Sequence, residues 1–266
     1  MIKNNFLIIL VGLPASGKST FALKLKDIIE IKLKPYKTKI IDPDMIRNSI
    51  TYEKFDYKKE SIVRKKNLIE VRQSLKEHFI VISDDLNYYS SMRHDLKEIA
   101  ENQELHYFII HLTTPLHVCL KWNKIRGKPI PNKVIKKIYN KLDSFDKYSW
   151  DYPVVEYDPS QYQISNEKID EILVQIINKL TLQLNSLPKI TQIESKSNVD
   201  NEKLDMATRK VVGDLLRDPI YKSLKNQIIK ARKLFIKQYP NASFNELEIS
   251  KDFKKFLDGF LRQARK

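Results

Sequence analysis

Cysteine is nearly absent from this chain. Cys119 is the single cysteine in 266 residues, which excludes an intramolecular disulfide or a cysteine-rich zinc site and fits a cytoplasmic protein. Long apolar runs are missing too. The run at 6–11 is too short to span a membrane and leads into a Gly-Lys-Ser-Thr loop instead of a small-residue cleavage site, so neither membrane association nor a targeting signal is expected. The five histidines, His78, His94, His106, His111 and His117, show no H-E-x-x-H or comparable spacing and are read as structural. No internal repeat is found. Acidic residues are in deficit: 48 Lys+Arg face 33 Asp+Glu, for a formal charge of +15. Such a surface attracts polyanions, nucleic acid first among them, although a lysine-rich or heat-adapted proteome would give the same balance.

What is present is a globular composition, 42% hydrophobic and 10% aromatic, in a chain long enough for one large and one small domain. Four short apolar runs, at 6–11, 38–41, 79–82 and 107–111, have the length of buried parallel strands. Between them, stretches at 22–33, 61–77 and 92–102 repeat apolar residues every three or four positions. This alternation predicts a doubly wound α/β domain. A fifth strand is expected at 154–157 and a closing amphipathic helix at 167–184. Residues 185–203 are polar and read as a linker. From 204 to 266 only helical periodicity is found, broken at Pro219 and at Pro240-Asn241, which predicts three helices. Residues 191–266 carry 17 Lys+Arg against 10 Asp+Glu, and the first 190 carry 31 against 23, so positive charge is denser in the tail.

Gly12-Leu-Pro-Ala-Ser16-Gly17-Lys18-Ser19-Thr20 matches G-x-x-x-x-G-K-[ST] and lies between an expected strand and an expected helix. In such a P-loop, backbone amides and the helix N-terminus cradle the phosphates of a nucleoside triphosphate, Lys18 reaches the β/γ oxygens, and the Ser19 hydroxyl ligates Mg²⁺. The third apolar run ends in Asp84-Asp85, the position of a Walker-B carboxylate. Asp84 is the first choice for the metal sphere and Asp85 the second, with a loop-capping role open for either. Asp44 and Arg47 follow the second strand at the carboxyl edge of the sheet, where open α/β folds bind ligands. Asp44 can take a proton from an acceptor hydroxyl and Arg47 can position a phosphate; a helix cap beside a surface arginine is the plainer alternative. The segment 121–128 carries Lys121, Lys124, Arg126 and Lys128, where small P-loop kinases keep a mobile cationic lid. Arg126 is the candidate for stabilising transition-state charge, with a solvated basic helix end as the alternative.

Five stretches together resemble the archaeal and eukaryotic O-phosphoseryl-tRNA(Sec) kinase family: 12–20, Asp-Met-Ile-Arg at 44–47, Asp-Asp-Leu-Asn-Tyr-Tyr-Ser-Ser-Met-Arg-His-Asp-Leu at 84–96, Arg-Gly-Lys-Pro-Ile-Pro at 126–131 and Tyr-Ser-Trp-Asp-Tyr-Pro at 148–153. A weaker match, Ala-Thr-Arg-Lys, lies at 207–210. The resemblance implies a P-loop kinase domain at 1–184, with a parallel sheet and a homodimeric contact, followed by a small all-helical, flexibly linked tRNA-binding domain at 204–266. It implies ATP and Mg²⁺ on Lys18 and Ser19, Asp44 activating the hydroxyl of seryl-tRNA(Sec), Arg47 beside it, and Arg126 on the lid. One position departs. The family's lid has Arg-x-x-x-Arg, and here Trp122 stands first, which is similar to the Elongator-associated P-loop ATPases that bind tRNA without phosphorylating an aminoacyl group. That sister activity is the alternative.

Overall fold

The computed structural model describes residues 4–50, 59–185, 196–239 and 246–263. Its contacts divide the chain into two compact units, Met1–Ser186 and Leu187–Lys266.

The first unit alternates strand and helix: β1 (Phe6–Gly12), α1 (Lys18–Lys32), β2 (Thr38–Ile41), α2 (Pro43–Ile50), α3 (Glu60–Lys76), β3 (Ile80–Ser83), α4 (Ser90–Glu101), β4 (His106–Leu112), α5 (Leu116–Ile125), α6 (Asn132–Tyr139), β5 (Val155–Tyr157) and α7 (Asn166–Asn185). All five strands are parallel, in the order β2-β3-β1-β4-β5. β1 lies in the middle and is buried along its whole length, because helices cover both faces of the sheet. Its alternation divides the core. Phe6, Ile8 and Leu10 join Phe21, Leu25 and Ile29 of α1 and Ile169, Leu173 and Ile176 of α7. Leu7, Ile9 and Val11 join Val71 and Leu75 of α3 and Leu96 and Ile99 of α4. Each such side chain contributes about 1.5–3 kcal/mol on burial.

Expected strands and helices in this unit lie within one or two residues of the observed ones, except that α1 starts earlier, at Lys18. Helices α2, α5 and α6 are additions to the sequence reading. They are short, and Pro43, Pro115 and Pro131 start or precede them, so each resembles a loop when periodicity is counted over a long window.

The second unit contains α8 (Lys196–Leu215), the single turn α9 (Pro219–Lys222), α10 (Lys225–Gln238) and α11 (Glu246–Gln263). α8 begins inside the stretch read as linker, and the break expected at Pro240-Asn241 lies outside the described residues. Pro219 opens α9, with the Asp218 carboxylate accepting from Ile220 N at 2.9 Å. Leu204, Ala207, Val211, Phe235, Ile249 and Phe253 form the core of this unit. Beside them Arg232 donates to Asp205 and, at 3.1 Å, to Thr208 Oγ1, so Thr208 of the Ala-Thr-Arg-Lys stretch ties α8 to α10. No helix among the described residues is long and apolar enough to cross a membrane.

Candidate active site

The carboxyl ends of β1, β2 and β3 deliver the residues singled out above to one edge of the sheet. After β1 the chain wraps through Gly12 to Gly17. A Cβ on Gly12 would sit 2.9 Å from Ser16 Oγ and 3.0 Å from Leu112 O, so the close approach of β4 requires glycine there. Gly17 has φ 93° and forms the N-cap of α1, in the left-handed region that glycine tolerates. Thr114, after β4, fastens the loop by donating to Ser16 O at 2.8 Å. The buried Lys18 ammonium folds back over this cradle and donates to Gly12 O at 3.1 Å and Leu13 O at 2.8 Å. Ser19 and Thr20 are exposed at the first turn of α1.

Asp84 is buried beside Lys18 and accepts a hydrogen bond from the Ser19 side chain. Burial pushes its carboxyl up, opposed by that hydrogen bond and by the Lys18 charge. The Lys18 ammonium is pushed down by burial, with the charges of Asp84 and Asp85 acting in the other direction. Asp85 is engaged by the backbone: its Oδ1 accepts from Leu86 N at 2.6 Å, and its carboxyl is raised by burial. The Ser19 hydroxyl and the Asp84 carboxylate are therefore adjacent hard oxygen donors next to a phosphate cradle, a set that fits Mg²⁺, which takes few protein ligands and completes its shell with phosphate and water. Among the described residues no cluster of three His, Cys, Asp or Glu side chains could hold a metal by itself.

At the end of β2, Asp42 caps α2, with its Oδ1 accepting from Asp44 N at 2.8 Å. Asp44 is thus not the cap. Its side chain is 77% exposed and forms an ion pair with Arg47 one turn on. The other edge of Arg47 is gripped by Glu60 of α3, Nε to Oε1 at 2.7 Å and Nη2 to Oε2 at 2.9 Å. Those bonds first, and the Asp44 charge after them, hold the guanidinium firmly protonated. Glu60 was missed by the sequence reading, and only the packing of α3 against α2 reveals it.

Tyr88 and Tyr89, next along the β3 loop, bring their rings to 4.2 Å, and burial pushes the Tyr88 phenol up to about 12. Arg126 is exposed at the C-cap of α5, apart from any ion pair among the described residues. Trp122, one turn earlier, lies over the phosphate loop, its ring 3.6 Å from where a Gly17 Cβ would be. Of the histidines, His94 meets Trp150 edge-on at 5.3 Å and His111 lies 4.7 Å from Phe145, whereas His78 and His117 are exposed.

A family model described as "Chromatin associated protein KTI12" matches residues 6–258. Among curated proteins, the L-seryl-tRNA(Sec) kinase of Methanococcus maripaludis is 37% identical over 255 residues, covering 95% of this chain and 97% of that protein. The chain belongs to the L-seryl-tRNA(Sec) kinase family. The related Protein kti12 of Schizosaccharomyces pombe is 26% identical over 283 residues, covering 95% of this chain and 97% of its own length. Among solved structures, Chaetomium thermophilum Kti12 in complex with ADP-AlF3 superposes with a TM-score of 0.53 at 20% identity, covering 64% of this chain and 98% of that one, a likeness of fold. The P-loop kinase fold is thus shared with the solved Kti12, and in this chain a helical C-terminal region follows it.

Proposed function

We propose that this protein transfers the γ-phosphoryl group of ATP to the seryl hydroxyl of seryl-tRNA(Sec), giving O-phosphoseryl-tRNA(Sec) and ADP. The observation that carries this reading is the likeness to the Methanococcus maripaludis kinase across 95% of the chain, the phosphate site and the helical tail together. In the mechanism, the Gly12–Thr20 loop binds the triphosphate and Lys18 leaves its backbone carbonyls for the β/γ oxygens. Ser19 and Asp84 would hold Mg²⁺, which would supply charge neutralisation for the triphosphate. The serine oxygen attacks phosphorus, the bond to the β–γ bridging oxygen breaks, and the hydroxyl proton passes to Asp44. Arg47, clamped by Glu60, aligns the Asp44 carboxylate and the incoming acceptor, while Arg126 closes on the transferring group as the α5–α6 lid comes down. The helical unit supplies the contacts to tRNA.

A second reading, a tRNA-stimulated ATPase without an aminoacyl acceptor, is favoured by one feature. Trp122 takes the first arginine position of the lid, and an indole cannot donate a bidentate hydrogen bond to phosphate. Transfer of γ-labelled phosphate from ATP separates the two. Label on the serine of seryl-tRNA(Sec), and none on seryl-tRNA(Ser), is the expected result; free phosphate released with uncharged tRNA and no labelled serine would overturn the kinase reading. Lys18→Ala is expected to abolish turnover in either case. Asp44→Asn is expected to lower transfer by about 100-fold or more, within the range of a lost general base, and to leave nucleotide affinity intact. A fully active Asp44→Asn enzyme would remove Asp44 from the chemistry.

A further inference from the structure

The segment that leaves the lid is stitched to the loop that carries Asp84 and Asp85. α4 starts at Ser90 with no side-chain cap from Tyr89, its own N-cap residue. The cap comes from Asp143, 53 positions away: Asp143 Oδ2 accepts from Ser90 N at 2.9 Å and from Ser90 Oγ at 3.0 Å. A carboxylate there satisfies an orphan N–H and meets the positive end of the helix dipole. Asp143 N donates to Tyr88 O at 2.8 Å, binding the same two segments through the backbone.

Arg93 locks this junction from beneath. It is fully buried and pairs through two nitrogens with the equally buried Asp151, Nε to Oδ1 at 2.6 Å. Its Nη1 donates to Asn87 O at 2.9 Å, Nη2 reaches Asp143 O at 3.5 Å, and its guanidinium lies 4.5 Å from the Phe145 ring centre. Asn87, at φ 44°, donates in turn to Leu10 O at 2.9 Å, and Gly12 N donates to Leu86 O at 3.3 Å. A continuous run of hydrogen bonds thus joins the chain after α6 to the acidic loop and to the first glycine of the phosphate cradle.

We propose that Asp143 is a positioning residue: by capping α4 from the exit of the α5–α6 hairpin, it couples lid closure to the placement of the loop bearing Asp84 and Asp85. The proposal rests on the phosphotransfer reading of the site. A cap with a purely structural role would lower stability and leave catalysis per folded molecule unchanged. A coupling residue affects turnover and lid closure while nucleotide affinity, set by the P-loop, is kept.

The test uses the full chain as wild type, Asp143→Ala, Asp143→Asn, Ser90→Ala and the Asp143→Ala/Ser90→Ala double variant. It reads affinity for a fluorescent ADP, turnover at saturating ATP, and ATP-dependent shielding of Lys124 and Arg126 from trypsin. Asp143→Ala is expected to lose about 10- to 100-fold in turnover, the scale of a small misplacement of catalytic groups, to lose the shielding, and to bind ADP within about twofold of wild type. Asp143→Asn, whose amide oxygen still accepts from Ser90, should recover most of both, and the double variant should be no worse than Asp143→Ala alone. Wild-type turnover and shielding in Asp143→Ala would overturn the proposal, as would additive losses in the double variant or a wild-type lid that ATP does not shield. Should Asp143→Ala fail to fold, Ser90→Ala against Asp143→Asn decides by the same readouts. Failure of the kinase reading is seen separately, as absence of label on seryl-tRNA(Sec), while the shielding still reports the coupling.

Discussion

Asp42 and Asp44 are two residues apart and have opposite environments. Asp42 is partly buried, caps α2 and sits near Asp44, Asp84 and Asp85; burial first, and those charges after it, push its carboxyl up to about 6 in spite of the bond from Asp44 N. A carboxyl raised in the folded state holds a proton that the unfolded chain has already released between about pH 4 and 6. Its contribution to stability is therefore full below the unfolded value and is lost as pH rises through the folded one. At neutral pH Asp42 is a penalty, roughly 1 kcal/mol once solvent screening is allowed for. Asp42→Asn keeps a good cap and removes the charge, so in metal-free buffer its Tm is expected about 2–4 °C above wild type at pH 7.5, with the difference vanishing near pH 4. A Tm difference that does not change with pH would show that this carboxyl is not raised.

At the scale of elements, α5 and α6 form a hairpin whose buried Cys119 and Ile135 pack with Leu13 of the phosphate loop and whose exposed tip carries Lys124, Arg126 and Lys128. The helix end is local chemistry: α5 stops at Arg126, and Gly127 takes φ 82° to reverse the chain. Asn123 braces the reversal, its amide donating to Ile130 O at 2.7 Å and its Oδ1 accepting from Ile130 N at 3.3 Å. Asn123 therefore has a structural use. In the proposed mechanism, with Trp122 where the resembled lid has its first arginine, Arg126 would be the one lid guanidinium left to meet transition-state charge. Arg126→Lys is expected to lower kcat by at least 10-fold with little change in KM for ATP, because a lysine keeps the charge and loses the fork. A Lys variant with wild-type kcat would place that task on Lys121 or Lys124.

For the whole molecule, the excess of positive charge is distributed unevenly even within the second unit. α10 carries Lys225, Lys230, Arg232, Lys233 and Lys237 and no acidic residue, whereas α8 and α11 mix both signs. Arg232 is committed to Asp205 and Thr208, but Lys230, Lys233 and Lys237 are exposed and make no ion pair among the described residues. If the helical unit grips tRNA, these three lysines contact its phosphates. Changing all three to Gln in the full chain should weaken tRNA binding and reduce the slope of log K against log salt by about 2 to 3, with Ser-tRNA and uncharged tRNA affected alike. An unchanged slope would move the contact to another face.

Contiguous sequence was enough for whatever depends on local geometry or on a simple period. The phosphate loop is nine consecutive residues where a strand gives way to a helix, so Gly12, Lys18 and Ser19 were legible together, and four apolar runs marked β1 to β4 because strands covered on both faces are largely apolar. Which acid does what was not legible. Asp42 rather than Asp44 is the cap, Ser19 bonds Asp84 while Asp85 bonds Leu86, Glu60 clamps Arg47, and Asp143 caps a helix 53 positions upstream. The motif residues Arg93 and Asp151, conspicuous in the sequence and without an assigned role there, turn out to be a buried ion pair. These pairings were decided only by tertiary packing, because a carboxylate's burial and partners depend on which elements the fold brings against it, and neither residue type nor spacing along the chain encodes that.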